Sequence, residues 1–148
     1  SERLTHMDLL RCEQDRALTD CGGHFQAIIP LPFIPGKSQL NHLPGPSGLE
    51  NLRTIAIARL MLDNIPHVKA FWIMQSLMMA QHMLQCGAND LDGTVIWYDI
   101  TKVGADTTHQ ECSERDLQRA IRDAGQIPVE RDTLYRRVER DGVAWQVA

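Results

Sequence analysis

Apolar positions along the chain alternate between two periods, one helical and one extended. From Glu2 to Leu18, Leu4, Met7 and Leu10, with Leu9 beside them, fall on one face and predict a helix. Cys21-Gly22-Gly23 breaks it. Phe25 to Ile29 is a short apolar run suited to a buried strand, and Pro30, Pro32 and Pro35 stop it. Gly36 to Gly48 is rich in Pro, Gly, Ser and Asn and reads as a long loop, a kind that often carries function. Ser47-Gly48-Leu49-Glu50 has the spacing of a capping box and opens a second helix, which ends near Asp63 or Asn64 before Pro66. Val68 to Met74 reads as a strand, Leu77 to Cys86 as a third helix with Gly87 at its C′ position, and Leu91 to Tyr98 as a further strand. After a break at Gly104-Ala105, Ser113 caps a last helix whose stripe is Leu117, Ala120, Ile121 and Ala124, with Gly125 ending it. The tail from Ile127 to Ala148 is mixed and polar, and Val143 to Val147 within it can add a short strand.

Strands alternating with helices imply parallel strands with covering helices. About three such units do not close a barrel, which needs eight strands. The pattern alone leaves a small layered α/β sheet and a partial (β/α) barrel both open. Residues 1–148 read as one domain, with residues 126–148 as a C-terminal tail packing on it.

Composition adds exclusions. At 148 residues the chain can bury a sizeable core, and 43% hydrophobic with 23% charged residues is ordinary for a globular protein. The net charge is −4 and no Lys/Arg cluster stands out, which argues against nucleic acid as a partner. No apolar run approaches the roughly 18 residues of a membrane span, so no membrane partner is expected and a cytoplasmic location is the default. The four cysteines, Cys12, Cys21, Cys86 and Cys112, have neither zinc-knuckle nor cluster-loop spacing and read as reduced, partly buried thiols. His24, His42, His82 and His109 lack metal-ligand spacing, and Met61, Met74, Met78, Met79 and Met83 read as core filler.

Four blocks carry a resemblance. They are Phe25-Gln26-Ala27-Ile28-Ile29-Pro30-Leu31-Pro32-Phe33, Arg59 to Trp72, Asn89-Asp90-Leu91-Asp92-Gly93-Thr94-Val95, and Pro128-Val129-Glu130-Arg131-Asp132-Thr133-Leu134-Tyr135. In order and spacing they resemble the C-terminal half of the radical-SAM aminofutalosine (aminodeoxyfutalosine) synthase family of menaquinone biosynthesis. The resemblance runs from about Glu2 to Val138. Two sister families, the cyclic dehypoxanthine futalosine synthases and the deazaflavin-forming enzymes, share Gly87-Ala88-Asn89-Asp90 and the helix before Pro66. The Asp92-Gly93-Thr94 step and Val129 to Asp132 favour aminofutalosine synthase.

The resemblance implies a 4Fe–4S cluster and S-adenosylmethionine in the full-length enzyme. It also implies addition of a 5′-deoxyadenosyl radical to 3-[(1-carboxyvinyl)oxy]benzoate, giving 6-amino-6-deoxyfutalosine after rearrangement and loss of CO2. The family's C-x-x-x-C-x-x-C loop lies in its N-terminal half and has no counterpart in this sequence. The chain alone is therefore expected to hold no metal and to be inactive, with a small-molecule substrate and an N-terminal barrel half as its partners. A non-catalytic remnant or assembly module, and a sister-family chemistry, are the alternatives. One departure stands out: where relatives often carry two acidic residues, this chain has Trp97 and Tyr98, followed by Asp99.

Barrel enzymes keep their chemistry at the C-terminal ends of strands. That selects Phe33, Trp72, Gln75, Asp92 and Thr94 as candidate substrate-binding residues, with Asp92 as the catalytic candidate. Trp72 can stack on an aromatic ring or pack against the next helix. Gln75 and Ser76 can hold a carboxylate or ribose, or simply cap a helix. Asp90, Asp92 and Thr94 share one strand face, where two carboxylates can share a proton or bind hydroxyls, or can bond nearby backbone. His67 and Lys69, at the bottom of a strand, read as structural, with Lys69 in an ion pair.

Overall fold

The structure, a computed structural model, describes residues 2–36, 38–94 and 111–148. Helix α1 (Glu2–Arg16) continues into a π-helical turn, Ala17–Cys21, that Gly22 closes in a left-handed conformation. Strand β1 (Ala27–Ile28) precedes α2 (Gly48–Met61). Strand β2 (His67–Ala70) leads through a helical turn α3 (Trp72–Gln75) into α4 (Leu77–Gln85). Strand β3 (Asp90–Leu91), α5 (Glu114–Asp123) and the hairpin β4 (Val138–Asp141) and β5 (Ala144–Val147) complete the order.

The three strands β1, β2 and β3 lie side by side in sequence order, all parallel. This is the α/β arrangement of a partial β/α barrel. Register pairs Ala27 with His67 and Lys69 with Asp90. Period-2 alternation then sorts the side chains. Val68 and Ala70 are fully buried on the helix-covered face, in one core with Ile55, Ala58, Leu62, Ile65 and Met83. His67, Lys69, Asp90 and Asp92 take the opposite face, the one that lines the inside of a barrel.

Strand extents differ from the expected ones. The strand expected over Phe25 to Ile29 is two residues long, because Pro30 and Pro32 have no N–H for a ladder. The strand expected over Val68 to Met74 ends at Ala70, and Trp72 to Gln75 coils. An all-apolar run has no period that separates a buried strand from a buried helical turn. The strand expected over Leu91 to Tyr98 is Asp90–Leu91 among the described residues; Val95 to Tyr98, with Asp99, the Gly104-Ala105 break and His109, lie outside them. The expected tail strand is present as β5, and it pairs antiparallel with β4 across Gly142-Val143, where Gly142 supplies a positive φ of 61°.

Local signals set the helix ends. Ser47 Oγ accepts from the Glu50 N–H while Glu50 accepts from the Ser47 N–H, a complete capping box. Ser113 caps α5 in the same way through the Asp116 N–H. Gln14, fully buried, is a device without a periodic signature. Its amide donates to the carbonyls of Phe25 and Asn64 and accepts from the Phe25 N–H, tying α1 to the start of β1 and to the turn before β2. Among the described residues, no helix is long and apolar enough to cross a membrane.

Gly87 closes α4 at φ 116°, and a Cβ there would meet Arg59 Cβ at 2.9 Å. The same Arg59 donates to the Gly87 carbonyl at 2.8 Å and to Asn89 Oδ1 at 2.7 Å. Gly87→Ala is therefore expected to destabilise the chain by about 1–3 kcal/mol in urea unfolding. Gly23→Ala, whose added methyl meets open space, should stay within about 0.5 kcal/mol of the parent. Equal stabilities for the two variants would contradict this role for Gly87.

Candidate functional site

The inner face of the sheet gathers two acids and one base from neighbouring strands. Lys69 Nζ lies 3.0 Å from Asp92 Oδ1 and 3.5 Å from Asp90 Oδ2. A second cation comes from the C-terminal tail. Arg131 forks onto Asp90, Nε to Oδ1 and Nη2 to Oδ2, each at 2.8 Å. The Tyr135 hydroxyl donates to Asp90 Oδ2 at 3.0 Å. Asp90, only 8% exposed, has the bidentate partner that a buried carboxylate requires.

Rings stack beneath this cluster. The imidazole of His67 lies on the Tyr135 ring, centroids 3.8 Å apart and planes 12° from parallel, and Arg131 Cζ sits 4.0 Å from the same ring centroid. Burial holds His67 below its usual range, opposed by the charge of Asp90. Arg131 is raised, chiefly by its hydrogen bond to Asp90. Burial, then the charge and hydrogen bond of Asp90, push the Tyr135 phenol up to about 12.

Asp92 is held differently. The Trp72 indole N–H donates to its main-chain carbonyl at 3.0 Å, and Lys69 holds Oδ1. Its Oδ2 is buried with no hydrogen-bond partner among the described residues. Burial raises the Asp92 carboxyl above the usual carboxylate range, against the pull of Lys69. A carboxyl with one oxygen held and the other buried without a partner among the described residues suits a hydroxyl donor, or a proton to be held and released.

A cavity of about 590 Å3 opens at the C-terminal ends of β1 and β2. Phe33, the run Pro30 to Pro32, Gln75 and the first turns of α1 and α2 line it, with Arg3, His6, Asn51 and Thr54 as polar wall residues. Gln75 Oε1 is buried there without a hydrogen-bond partner among the described residues. Ser76, next to it, has φ 80°, a conformation strained for a residue with a Cβ.

The candidates selected from sequence thus fall into two groups and one outlier. Phe33 and Gln75 share the cavity wall. Trp72 and Asp92 are hydrogen-bonded to each other, and Trp72, 3% exposed, lies in the core. Thr94 is exposed and ends its described segment. Asp90 and Asp92 do share a face, bridged by Lys69. Sequence reasoning gave no role to Arg131 and Tyr135. They stand within the quoted Pro128 to Tyr135 block, but a partner 41 or 45 positions away leaves no local periodic trace. No group of three or more His, Cys, Asp or Glu side chains among the described residues is arranged to hold a metal ion.

Residues 22–142 match the family model of the CofH/MqnC C-terminal region. The chain is 45% identical over 141 residues to aminodeoxyfutalosine synthase of Thermus thermophilus, covering 93% of this chain and 37% of that protein. With aminodeoxyfutalosine synthase of Streptomyces coelicolor it shares 43% over 132 residues, 81% of this chain and 34% of the relative. With 5-amino-6-(D-ribitylamino)uracil–L-tyrosine 4-hydroxyphenyl transferase of Methanothermobacter thermautotrophicus it shares 34% over 142 residues, 93% of this chain and 37% of the relative. The chain spans little more than a third of the length of these relatives.

The Tyr135 environment can be read by ultraviolet titration. With Tyr98→Phe removing the other tyrosine, phenolate absorbance should rise only near pH 12, against about 10 for a free phenol. A folded-state acid raised above its unfolded value contributes stability that is lost as pH rises, here between about 10 and 12. A phenolate midpoint near 10 in the folded chain would contradict the Asp90 contact.

Proposed function

This chain belongs to the CofH/MqnC C-terminal family, and from that premise we propose that it forms the C-terminal part of an aminodeoxyfutalosine synthase. The observation that carries the choice within the family is identity. It is 45% and 43% to the two aminodeoxyfutalosine synthases and 34% to the archaeal hydroxyphenyl transferase. The Asp92-Gly93-Thr94 step points the same way. The proposed reaction forms a carbon–carbon bond between a 5′-deoxyadenosyl unit and the enolpyruvyl carbon of 3-[(1-carboxyvinyl)oxy]benzoate, with loss of CO2. The runner-up is a transfer of the sister type, supported by the 34% identity that extends over 93% of the chain.

Such an enzyme draws its adenosyl unit from S-adenosylmethionine and its electron from a 4Fe–4S cluster. The thiols of this chain do not fit a cluster, which needs clustered thiolates. Cys12 is exposed, Cys86 and Cys112 are half-buried, and no two cysteines of the sequence stand closer than Cys12 and Cys21. In this proposal both groups are held by protein outside this sequence, a preceding barrel half.

The chain's own residues then serve the substrate. Phe33 and the prolines beside it form an apolar wall for an aromatic ring, and Gln75 offers at that wall an amide oxygen unpaired among the described residues. Asp92 offers Oδ2, which has no partner among the described residues, to a sugar hydroxyl or a mobile proton. Trp72 fixes the Asp92 main chain instead of presenting a ring face. Thr94 is exposed and stays a candidate on its sequence parity with Asp90 and Asp92 alone.

The reading is tested by joining this chain to the N-terminal portion of the Thermus thermophilus synthase and assaying product after anaerobic cluster reconstitution. Formation of 6-amino-6-deoxyfutalosine is expected, and Asp92→Asn should lower turnover by roughly tenfold to a thousandfold. Full turnover by Asp92→Asn would reject the site assignment. A fusion that consumes 5-amino-6-(D-ribitylamino)uracil and tyrosine instead would overturn the choice of reaction.

A further inference from the structure

The inner-face cluster contains more charge than the proposed reaction uses. Two carboxylates and one ammonium share the sheet, and Lys69 is within reach of both acids. Left to themselves, Asp90 and Asp92 would compete for that single cation, and the pair would hold a proton at the acid that lost. The tail removes the competition. Arg131 occupies both oxygens of Asp90, and Tyr135 adds a third donor on Oδ2. Lys69 correspondingly sits closer to Asp92, at 3.0 Å, than to Asp90, at 3.5 Å.

The backbone reinforces this reading. Among the described residues only Ser76 and Tyr135 are non-glycine positions with positive φ, and Tyr135 stands at 61°. A residue with a Cβ is strained in that conformation. The turn brings the ring onto His67 and the hydroxyl onto Asp90. Asp132 sustains the turn by accepting from the N–H groups of Leu134 and Arg136.

We propose that Arg131 and Tyr135 are positioning residues: by saturating Asp90 they commit Lys69 to Asp92 and so favour its charged form, with its second oxygen left without a partner among the described residues. This rests on the reading of Asp92 as a substrate-side group. Neither tail residue touches Asp92; Tyr135 acts on it through Asp90 and Lys69, and Arg131 acts both that way and by its charge through space. Among the described residues, the charged and titratable groups facing the cluster are Lys69 and His67 from β2, Asp90 from β3, and Arg131 and Tyr135 from the tail. The electrostatic balance at Asp92 has matching signs. Burial is the largest influence and disfavours its charge, Lys69 favours the charge, Asp90 disfavours it and Arg131 favours it.

The test is a carboxyl 13C titration of Asp92 in this chain without substrate, in the parent and in two variants with opposite expected signs. In Arg131→Met, Lys69 is drawn to Asp90, and the Asp92 midpoint should move up by about one pH unit. In Asp90→Asn, which preserves shape, Lys69 belongs to Asp92 alone, and the midpoint should move down. Tyr135→Phe should move it up by less than Arg131→Met. An Asp92 midpoint unchanged in Arg131→Met or in Tyr135→Phe would overturn the proposal; Arg131→Met also removes a charge that acts on Asp92 through space, whereas Tyr135→Phe removes only a hydrogen bond to Asp90, so its shift reports the coupling alone. Should Arg131→Met fail to fold, Asp90→Asn decides: an Asp92 midpoint that stays or rises there overturns the proposal equally. The reading is independent of turnover. An upward shift in Tyr135→Phe with a downward one in Asp90→Asn, alongside a fusion enzyme indifferent to Asp92→Asn, would uphold the coupling through Asp90 and Lys69 and remove the functional reading of Asp92.

Discussion

A carboxylate taken out of water must be paired or it destabilises the fold, and Asp90 is such a carboxylate. Its two oxygens are met by a guanidinium, a phenol and, at longer range, an ammonium. That requirement organises much of what surrounds it. It draws Arg131 and Tyr135 back to the sheet from beyond α5. The recruited Tyr135 ring covers His67. Lys69 is left for Asp92. A tail that is polar and weakly patterned in sequence thereby acquires a fixed place against the strands, although its hairpin remains largely exposed, with Val143 and Trp145 open to solvent.

Geometry on the opposite face is simpler. Val68 and Ala70 enter an apolar core between α2 and α4, and the capped starts of α2 and α5 set the helix frames. Arg59 and Asn89 supply the polar link between the layers. Asn89 accepts from the Val68 N–H and from Arg59, and donates to the Pro66 carbonyl. The loop into β3 is thus fixed by side-chain bonds, so a two-residue strand suffices to place Asp90 in register with Lys69.

What was legible in the sequence follows from the range of the physics involved. Caps are local, and Ser47 with Glu50, Ser113 with Asp116, and Gly87 could all be read within four residues. Side-chain parity is local too, so the common face of Asp90 and Asp92 could be read. Strand length was not legible at Phe71-Trp72-Ile73-Met74, where a uniformly apolar run coils because tertiary contacts, including the Trp72 bond to the Asp92 carbonyl, decide its shape. The tail partners of Asp90 were not legible either. Their hydrogen bonds span 41 and 45 positions, and the left-handed turn at Tyr135 carries no glycine to announce it. Gln14 escaped notice for a similar reason, being a buried amide whose partners lie 11 and 50 positions away.

The central claim is that Asp90 and Arg131 are energetically one unit. A double-mutant cycle in urea, with Asp90→Asn, Arg131→Met and the two combined, measures this directly. Arg131→Met alone should cost about 1–3 kcal/mol, since Lys69 and Tyr135 still meet the Asp90 charge. The combined variant should recover part of that loss, giving a coupling between about 0.5 and 3 kcal/mol. Additive losses, with no coupling beyond about 0.3 kcal/mol, would show that the tail is held by something other than this pair and would contradict the account.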